Sequence, residues 1–202
     1  MRRLRRGVAR QLGRPSGGFG RLLARGLNRF NRDINAAAVE ALEVDGSHHA
    51  VDLGFGGGVG LRGLLDAPAR HVTGIEHAPD MLAAAAKRFS RELESGRLAL
   101  LEGSAAAIPL ADAEVDRLLT VHTLYFWPDA EAGMAELHRV MAEGGRVCVA
   151  IQPREAMEDD PLHEHGFTLY SAADLRRLLE GAGFKSVEVR EGDDRLVGVA
   201  DV

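Results

Sequence analysis

From His48 onward the chain alternates two hydrophobic rhythms. Short apolar runs occur at 49–55 (HAVDLGF), 71–76 (HVTGIE), 97–103 (RLALLEG), 115–122 (VDRLLTVH), 145–151 (GRVCVAI), 184–191 (FKSVEVRE) and 195–202 (RLVGVADV), and each predicts a strand. Between them, 78–93, 130–144 and 171–183 carry apolar residues at helical spacing. Ahead of them, 21–42 sets Leu22, Leu23, Leu27, Phe30, Ile34, Ala38 and Leu42 along one broad stripe, which predicts a helix lying on another surface. Strands alternating with helices argue for an α/β protein with a mostly parallel sheet covered on both faces. The last two runs are separated only by the tripeptide GDD, too short for a parallel crossover, so they form a hairpin and one antiparallel strand joins the sheet.

At 202 residues and 46% apolar content the chain can bury one good core. A single cysteine, Cys148, lies inside an apolar run and reads as a small buried strand residue; one thiol excludes an internal disulfide framework or a cysteine zinc cluster. No stretch reaches the ~18 apolar residues of a membrane span, and the start MRRLRRGVARQL lacks the apolar core of a secretory signal, so the expected location is cytoplasmic. The net charge of −5 hides an asymmetry. Residues 1–32 hold ten arginines and no acid, leaving 15 basic against 30 acidic side chains in the remainder. Such an arm can meet nucleic acid, an anionic lipid surface, or the acidic body itself.

Residues 52–60 read DLGFGGGVG, directly behind a predicted strand. A dinucleotide fingerprint starting at Gly54 would need glycine or alanine at Val59, and one starting at Gly56 would need it at Leu61; both frames fail. No Gly-Lys-Ser/Thr follows, which excludes a phosphate-binding P-loop. The loop does satisfy G-x-G-x-G at Gly54, Gly56 and Gly58, preceded by the acid Asp52. An acid beside such a loop suits a cationic ligand rather than a phosphate. Glu76, at the end of the second run and 20 residues after Gly56, can accept both hydroxyls of a ribose.

These marks resemble the class I S-adenosylmethionine-dependent methyltransferases, of the bacterial small-molecule type. The resemblance runs from about residue 35 to the end. It is carried by Asp52 and its glycines, by HAPDML after Glu76, by GSAAAIPLADAEVDRLLTVHTLYFWPD, and by the later segments MAELHRVMAEGGRVCVA and TLYSAADLRRLLEGAGFKSVEV. It implies a Rossmann-like, doubly wound, seven-stranded sheet with a terminal antiparallel hairpin strand and an N-terminal helical cap. Residues 1–35 would form a basic arm and cap, and 36–202 the cofactor-binding domain. The cofactor implied is S-adenosyl-L-methionine, with S-adenosyl-L-homocysteine as product. Its site would comprise Asp52, Gly54, Phe55, Gly56, Gly58, Glu76, His77, Met81, Ser104, Ala105 and His122. Ser104 and Ala105 stand where the family has an Asp-Ala pair near the adenine amine, so a charge-assisted hydrogen bond is lost there.

Methyl transfer needs in-line approach and exclusion of water, and a neutral imidazole can take an acceptor's proton. The family's acceptor pocket lies past the fourth strand, where this chain has His122, Tyr125, Phe126 and Trp127. His122 is a candidate base or a contact to the cofactor's methionine part, and Tyr125 a candidate for orienting the acceptor. Phe126 reads as core. Tyr125 and Trp127 offer flat walls with polar handles, and Phe30 and Asn31 would face the acceptor from the cap, with Leu27, Asn28 and Asn35 nearby. No metal is expected: His163 and His165 flank Glu164 without further ligands and read as part of a solvated acidic loop. The expected partner is a small-molecule methyl acceptor, not nucleic acid, for a monomer or homodimer. The alternatives are RNA or a quinone-like or lipid acceptor reached through the arginine arm, with Leu4, Val8 and Leu12 on its apolar side, or a non-catalytic adenosine-binding scaffold.

Overall fold

The computed structural model describes residues 31–158, 168–192 and 194–202. Seven strands form one sheet: β1 (His49–Leu53), β2 (His71–Glu76), β3 (Leu98–Glu102), β4 (Val115–Val121), β5 (Met141–Ile151), β6 (Lys185–Gly192) and β7 (Arg195–Asp201). Their order is β3-β2-β1-β4-β5-β7-β6. All neighbours are parallel except β7, which runs antiparallel between β5 and β6. The terminal hairpin is therefore present, and its last strand is the inner one.

The helices divide between the faces. On one lie α1 (Arg32–Ala41), α2 (Val59–Asp66) and α3 (Pro79–Arg88), followed by the short α4 (Ser90–Glu94). Ile34, Ala38 and Leu42 from α1 and the turn after it join Leu61, Leu64, Phe55, Leu119 and Cys148 in a single buried cluster. Later in the chain come α5 (Ala130–Val140), the one-turn α6 (Arg154–Met157) and α7 (Ala172–Gly181). Met134 and Leu137 of α5 and Leu175 and Leu179 of α7 cover the opposite face with Val51, Leu53, Leu118 and Val149. Asp129 caps α5 by accepting from the Ala132 N–H at 2.9 Å, and Ser171 and Asp174 form a capping box at α7.

Element ends differ from the sequence pattern in three places. The segment 78–93 breaks at Phe89, whose backbone (φ −111°, ψ 29°) leaves the helical region as its ring turns into the core. The segment 130–144 stops being helical at Val140, because Met141 turns extended and pairs with Val115. The helix after the glycine loop is only eight residues long and contains Gly60 and Gly63, so periodicity does not delimit it. The division expected between residues 35 and 36 falls inside α1, where Ile34 and Asn35 are buried and Arg32 and Asp33 are exposed. No helix among the described residues is long and apolar enough to cross a membrane. Phe30, the arginine arm up to residue 30 and the His163–His165 segment lie outside the described residues.

Candidate cofactor and acceptor site

Strand order reverses between β1 and β4, since the chain leaves β1 toward β2 on one side and returns to β4 on the other. In open α/β sheets ligands bind at such a point, beyond the carboxyl ends of the strands. Asp52, the glycine loop, Glu76 and His122 all sit there.

The loop turns through three left-handed glycines, with φ of +73° at Gly54, +48° at Gly56 and +74° at Gly58. Its amides are engaged within the chain. Gly54 N–H donates to the Ile75 carbonyl (2.7 Å), Gly56 N–H to Glu76 Oε2 (3.0 Å) and Gly58 N–H to the Phe55 carbonyl (2.7 Å). A loop with these donors committed is a poor phosphate nest. A Cβ on Gly58 would lie 2.9 Å from Phe89 Cε2, so Phe89 wedges beneath the loop. The Arg62 and Arg88 guanidinium carbons each sit 5.0 Å from that ring's centre, and Arg88 Nη1 donates to the Gly57 carbonyl. Above Gly56 a Cβ would meet nothing closer than the Gly54 carbonyl at 4.0 Å. That position is open to a ligand.

Two buried carboxylates flank the loop. Glu76, 4% exposed, accepts at Oε1 from the His77 and Ala78 N–H groups (2.9 and 3.0 Å), and His77 Nδ1 lies 2.9 Å from the same oxygen. Burial pushes its pKa up, but the His77, Ala78 and Gly56 donors outweigh burial and hold it below the ordinary glutamate value. Asp52, 3% exposed, has no such set. Its Oδ2 is buried without a hydrogen-bond partner among the described residues. Burial first, and then the Glu76 charge, push its pKa up to about 8 against a backbone hydrogen bond from Leu61. A buried carboxylate without a counter-charge is unfavourable unless it is protonated or meets a cation.

At the end of β4, His122 adopts φ +57°, a strained conformation for a non-glycine residue, and its N–H donates to the Ala150 carbonyl. Its Nδ1 lies 3.1 Å from the Tyr125 hydroxyl. That hydroxyl accepts from the Gln152 N–H and lies 3.4 Å from the Gln152 carbonyl. Burial lowers the His122 pKa to about 4, opposed by Asp194 in the β6–β7 turn. Tyr125 is 3% exposed and burial raises its pKa, so the phenol is an internal brace between the ends of β4 and β5. The half-buried Trp127 lays its ring on α5, where a Cβ on Gly133 would lie 2.5 Å from Trp127 Cε3.

The remaining expected residues are dispersed. Phe55 and Met81 are core side chains on the α1–α3 face, which leaves Phe55 only its backbone for a ligand. Ala105 is buried on the opposite face, Ser104 is exposed and bridges to Ala107, and His77 is 42% exposed beside Glu76. Asn31 is partly buried, and its carbonyl accepts from the Asn35 side chain. Sequence reasoning did not single out Thr120 and Thr123. Thr120 Oγ1 donates to the Leu53 carbonyl and pairs with Thr123 Oγ1, joining the ends of β1 and β4. Two threonines three apart at a strand end were the available signal.

A ligand suited to this arrangement carries a cation near Asp52 and a ribose near Glu76. S-adenosylmethionine has both, in its α-ammonium group and its adenosine, so the residues present fit it. A family model described as a methyltransferase domain matches residues 51–149. The uncharacterized methyltransferase YdaC of Bacillus subtilis (strain 168) is 26% identical over 161 residues, which span 79% of this chain and 84% of that protein. The O-methyltransferase cnsE of Penicillium expansum is 27% identical over 152 residues, 71% of this chain, and the match spans only 54% of its length. A solved S-adenosylmethionine-dependent methyltransferase from Aquifex aeolicus superposes with a TM-score of 0.74 at 21% identity, covering 89% of this chain and 97% of that one, a likeness of fold.

Proposed function

Because the chain belongs to the class I S-adenosylmethionine-dependent methyltransferases, we propose that it methylates an O, N, C or S atom of a small-molecule acceptor by in-line displacement. The observation that carries this reading is the pair of buried carboxylates flanking an open glycine loop, one satisfied by N–H groups and the other with its Oδ2 unpartnered among the described residues. S-adenosylmethionine supplies a methyl group on a sulfonium leaving group. Asp52 would answer its ammonium charge, Glu76 its ribose hydroxyls, and Gly56 would let the backbone pass flat beneath it. His122 would stand at the acceptor side as a neutral imidazole, and Tyr125 would hold that ring in place. With His122 this weakly basic, transfer suits an acceptor that arrives as an anion or with a free lone pair.

A small acceptor is favoured over nucleic acid by charge, since the chain beyond residue 32 carries twice as many acids as bases and repels a phosphate backbone. The cnsE relative, named as an O-methyltransferase, favours oxygen as the accepting atom. The test has two stages. S-adenosylhomocysteine at 100 times its dissociation constant should add about 2.7 kcal/mol of stability, and NAD none. A screen for S-adenosylhomocysteine release over phenols, carboxylic acids, amines, thiols and halides should then find turnover. Stabilisation by NAD alone would overturn the cofactor assignment, and turnover only with RNA would overturn the acceptor class.

A further inference from the structure

Three groups from three elements converge on one point beneath the glycine loop. A Cβ built on Gly60 in α2 would lie 2.5 Å from Asp52 Oδ2 on β1 and 3.1 Å from Asn35 Oδ1 on α1. Both atoms are oxygens. The Asn35 amide is not free to turn over, because its Nδ2 donates to the Asn31 carbonyl at 2.8 Å and a flipped amide would set two acceptors together. Asn35 is 8% exposed, and Asp52 Oδ2 has no donor among the described residues. Two acceptors directed at the same buried point are repulsive unless a proton lies between them.

We infer that Asp52 and Asn35 form a proton-sharing pair under α2, in which the Asp52 carboxyl donates its Oδ2–H to Asn35 Oδ1 in the ligand-free protein, and that binding the amino-acid end of the cofactor expels this proton. The inference rests on the cofactor reading given above. On binding, the O–H bond at Asp52 breaks and the proton passes to a solvent base. The carboxylate left behind is balanced by the ligand's ammonium group, and no electrons change hands. The groups that face Asp52 are consistent with this. Glu76 on β2 is a second carboxylate that disfavours ionisation, the Leu61 N–H of α2 favours it weakly, and Thr120 on β4 directs its hydroxyl to the Leu53 carbonyl instead. Asn35 thus belongs to the cofactor site through Asp52, as a positioning residue on the first helix, rather than to the acceptor pocket.

The test is titration calorimetry of the intact chain with S-adenosylhomocysteine at pH 7, in two buffers of different ionisation enthalpy. Close to one proton should be released per ligand, and the release should shrink as pH rises through about 8. Methylthioadenosine, which keeps the adenosine and thioether but lacks the amino acid, should bind without releasing a proton. Asn35→Ala removes the proton's acceptor, so it should diminish the release by S-adenosylhomocysteine at pH 7. Equal proton counts for the two ligands at every pH would overturn the inference while leaving the cofactor assignment intact. Failure of S-adenosylhomocysteine to bind at all would overturn both, and an unchanged count in Asn35→Ala would overturn the pairing.

Discussion

Gly54 and Thr123 meet across the gap between β1 and β4, with the position a Cβ would occupy on Gly54 only 2.5 Å from Thr123 Cγ2. Through Thr123 the contact reaches Thr120, and through Thr120 the Leu53 carbonyl that precedes Gly54. The loop expected to carry the cofactor and the segment expected to face the acceptor are therefore built on one closed circuit. Displacing either end displaces the other.

Gly54→Ala should accordingly damage the fold. Left-handed strain costs about 1–2 kcal/mol per residue and overpacking about 1–3 kcal/mol, so a loss of about 2–5 kcal/mol is expected in chemical denaturation. Gly56→Ala meets open space and should lose only the strain, about 1–2 kcal/mol. Its Cβ would project where the ligand passes, so S-adenosylhomocysteine binding should fall by an order of magnitude or more. Equal effects of the two substitutions on stability and binding would show that the space above Gly56 is not the cofactor's.

For Glu76→Gln the two properties should move together. The carboxylate ties Gly56, His77 and Ala78 to β2, and a charged acceptor contributes about 1.5–3 kcal/mol per hydrogen bond. An amide cannot accept on both sides, so stability near neutral pH should drop by about that amount and the thermal shift with S-adenosylhomocysteine should shrink. The sign with pH follows from the lowered pKa, since the wild-type carboxylate's contribution is present above the unfolded value of about 4.3 and lost below it. Wild type and variant should converge in denaturation curves taken in acid. A constant difference from pH 3 to 7 would contradict the role given to the charge.

How much of this was legible beforehand depends on what each residue's signal measures. The strands and the hairpin are visible because burial on one or both faces writes a pattern that survives in a single sequence; Val72, Ile75, Val147 and Val149 are cases. Asp52, Gly54, Gly56 and Glu76 stood out because an acid or a glycine inside an apolar run is costly and needs a reason. The partnerships did not stand out. Asn35 reads as one of several amides beside an acceptor, and only the close approach of α1 to Gly60 brings it near Asp52. Tyr125 reads as a wall for an acceptor, yet its hydroxyl is bound by the backbone of Gln152, 27 residues away. Trp127 invites the same reading, and its seat on Gly133 in the next helix leaves no mark in the spacing. Contacts of this kind come from the tertiary fold, for which spacing in the chain carries no signal.

Asp52→Asn should separate stability from binding in the opposite way to Glu76→Gln. An acid whose pKa rises on folding to about 8 binds more protons in the native state than in the unfolded one, so its contribution is fully present below the unfolded value of about 3.9 and is lost as pH rises through about 8. Asparagine mimics the protonated acid at every pH, and its amide can donate to Asn35 Oδ1. The variant should be more stable than wild type by about 1–4 kcal/mol at pH 9 and nearly equal to it at pH 4. It should bind S-adenosylhomocysteine at least tenfold more weakly. A variant less stable than wild type at pH 9 would mean that Asp52 is a well-paired carboxylate after all.

The His122–Tyr125 contact sets the last expectation. A histidine lowered to about 4 by burial is neutral across the physiological range, so no catalytic ionisation near 6.5 should arise from it. Stability behaves with the matching sign, because the unfolded imidazole takes up a proton below about 6.5 while the folded one resists until about 4. The His122 contribution is therefore lost as pH falls through that window, against the opposite trend that Asp52 sets there. His122→Gln removes the titration and should delete this share of the stability profile, seen as the difference from wild type, while His49, whose pKa burial also lowers, and Asp52 keep theirs. Tyr125→Phe keeps the ring and deletes the hydroxyl opposite Nδ1, leaving the Gln152 N–H without its acceptor at a cost of about 1–3 kcal/mol. If Tyr125 holds the imidazole for the acceptor, Tyr125→Phe should also lower kcat with the S-adenosylhomocysteine affinity unchanged, and 15N spectra should report a changed tautomer balance at His122. A variant that lost stability but kept the wild-type kcat and the wild-type imidazole signals would confine Tyr125 to bracing β4 against β5, and would detach His122 from the proposed acceptor side of the site.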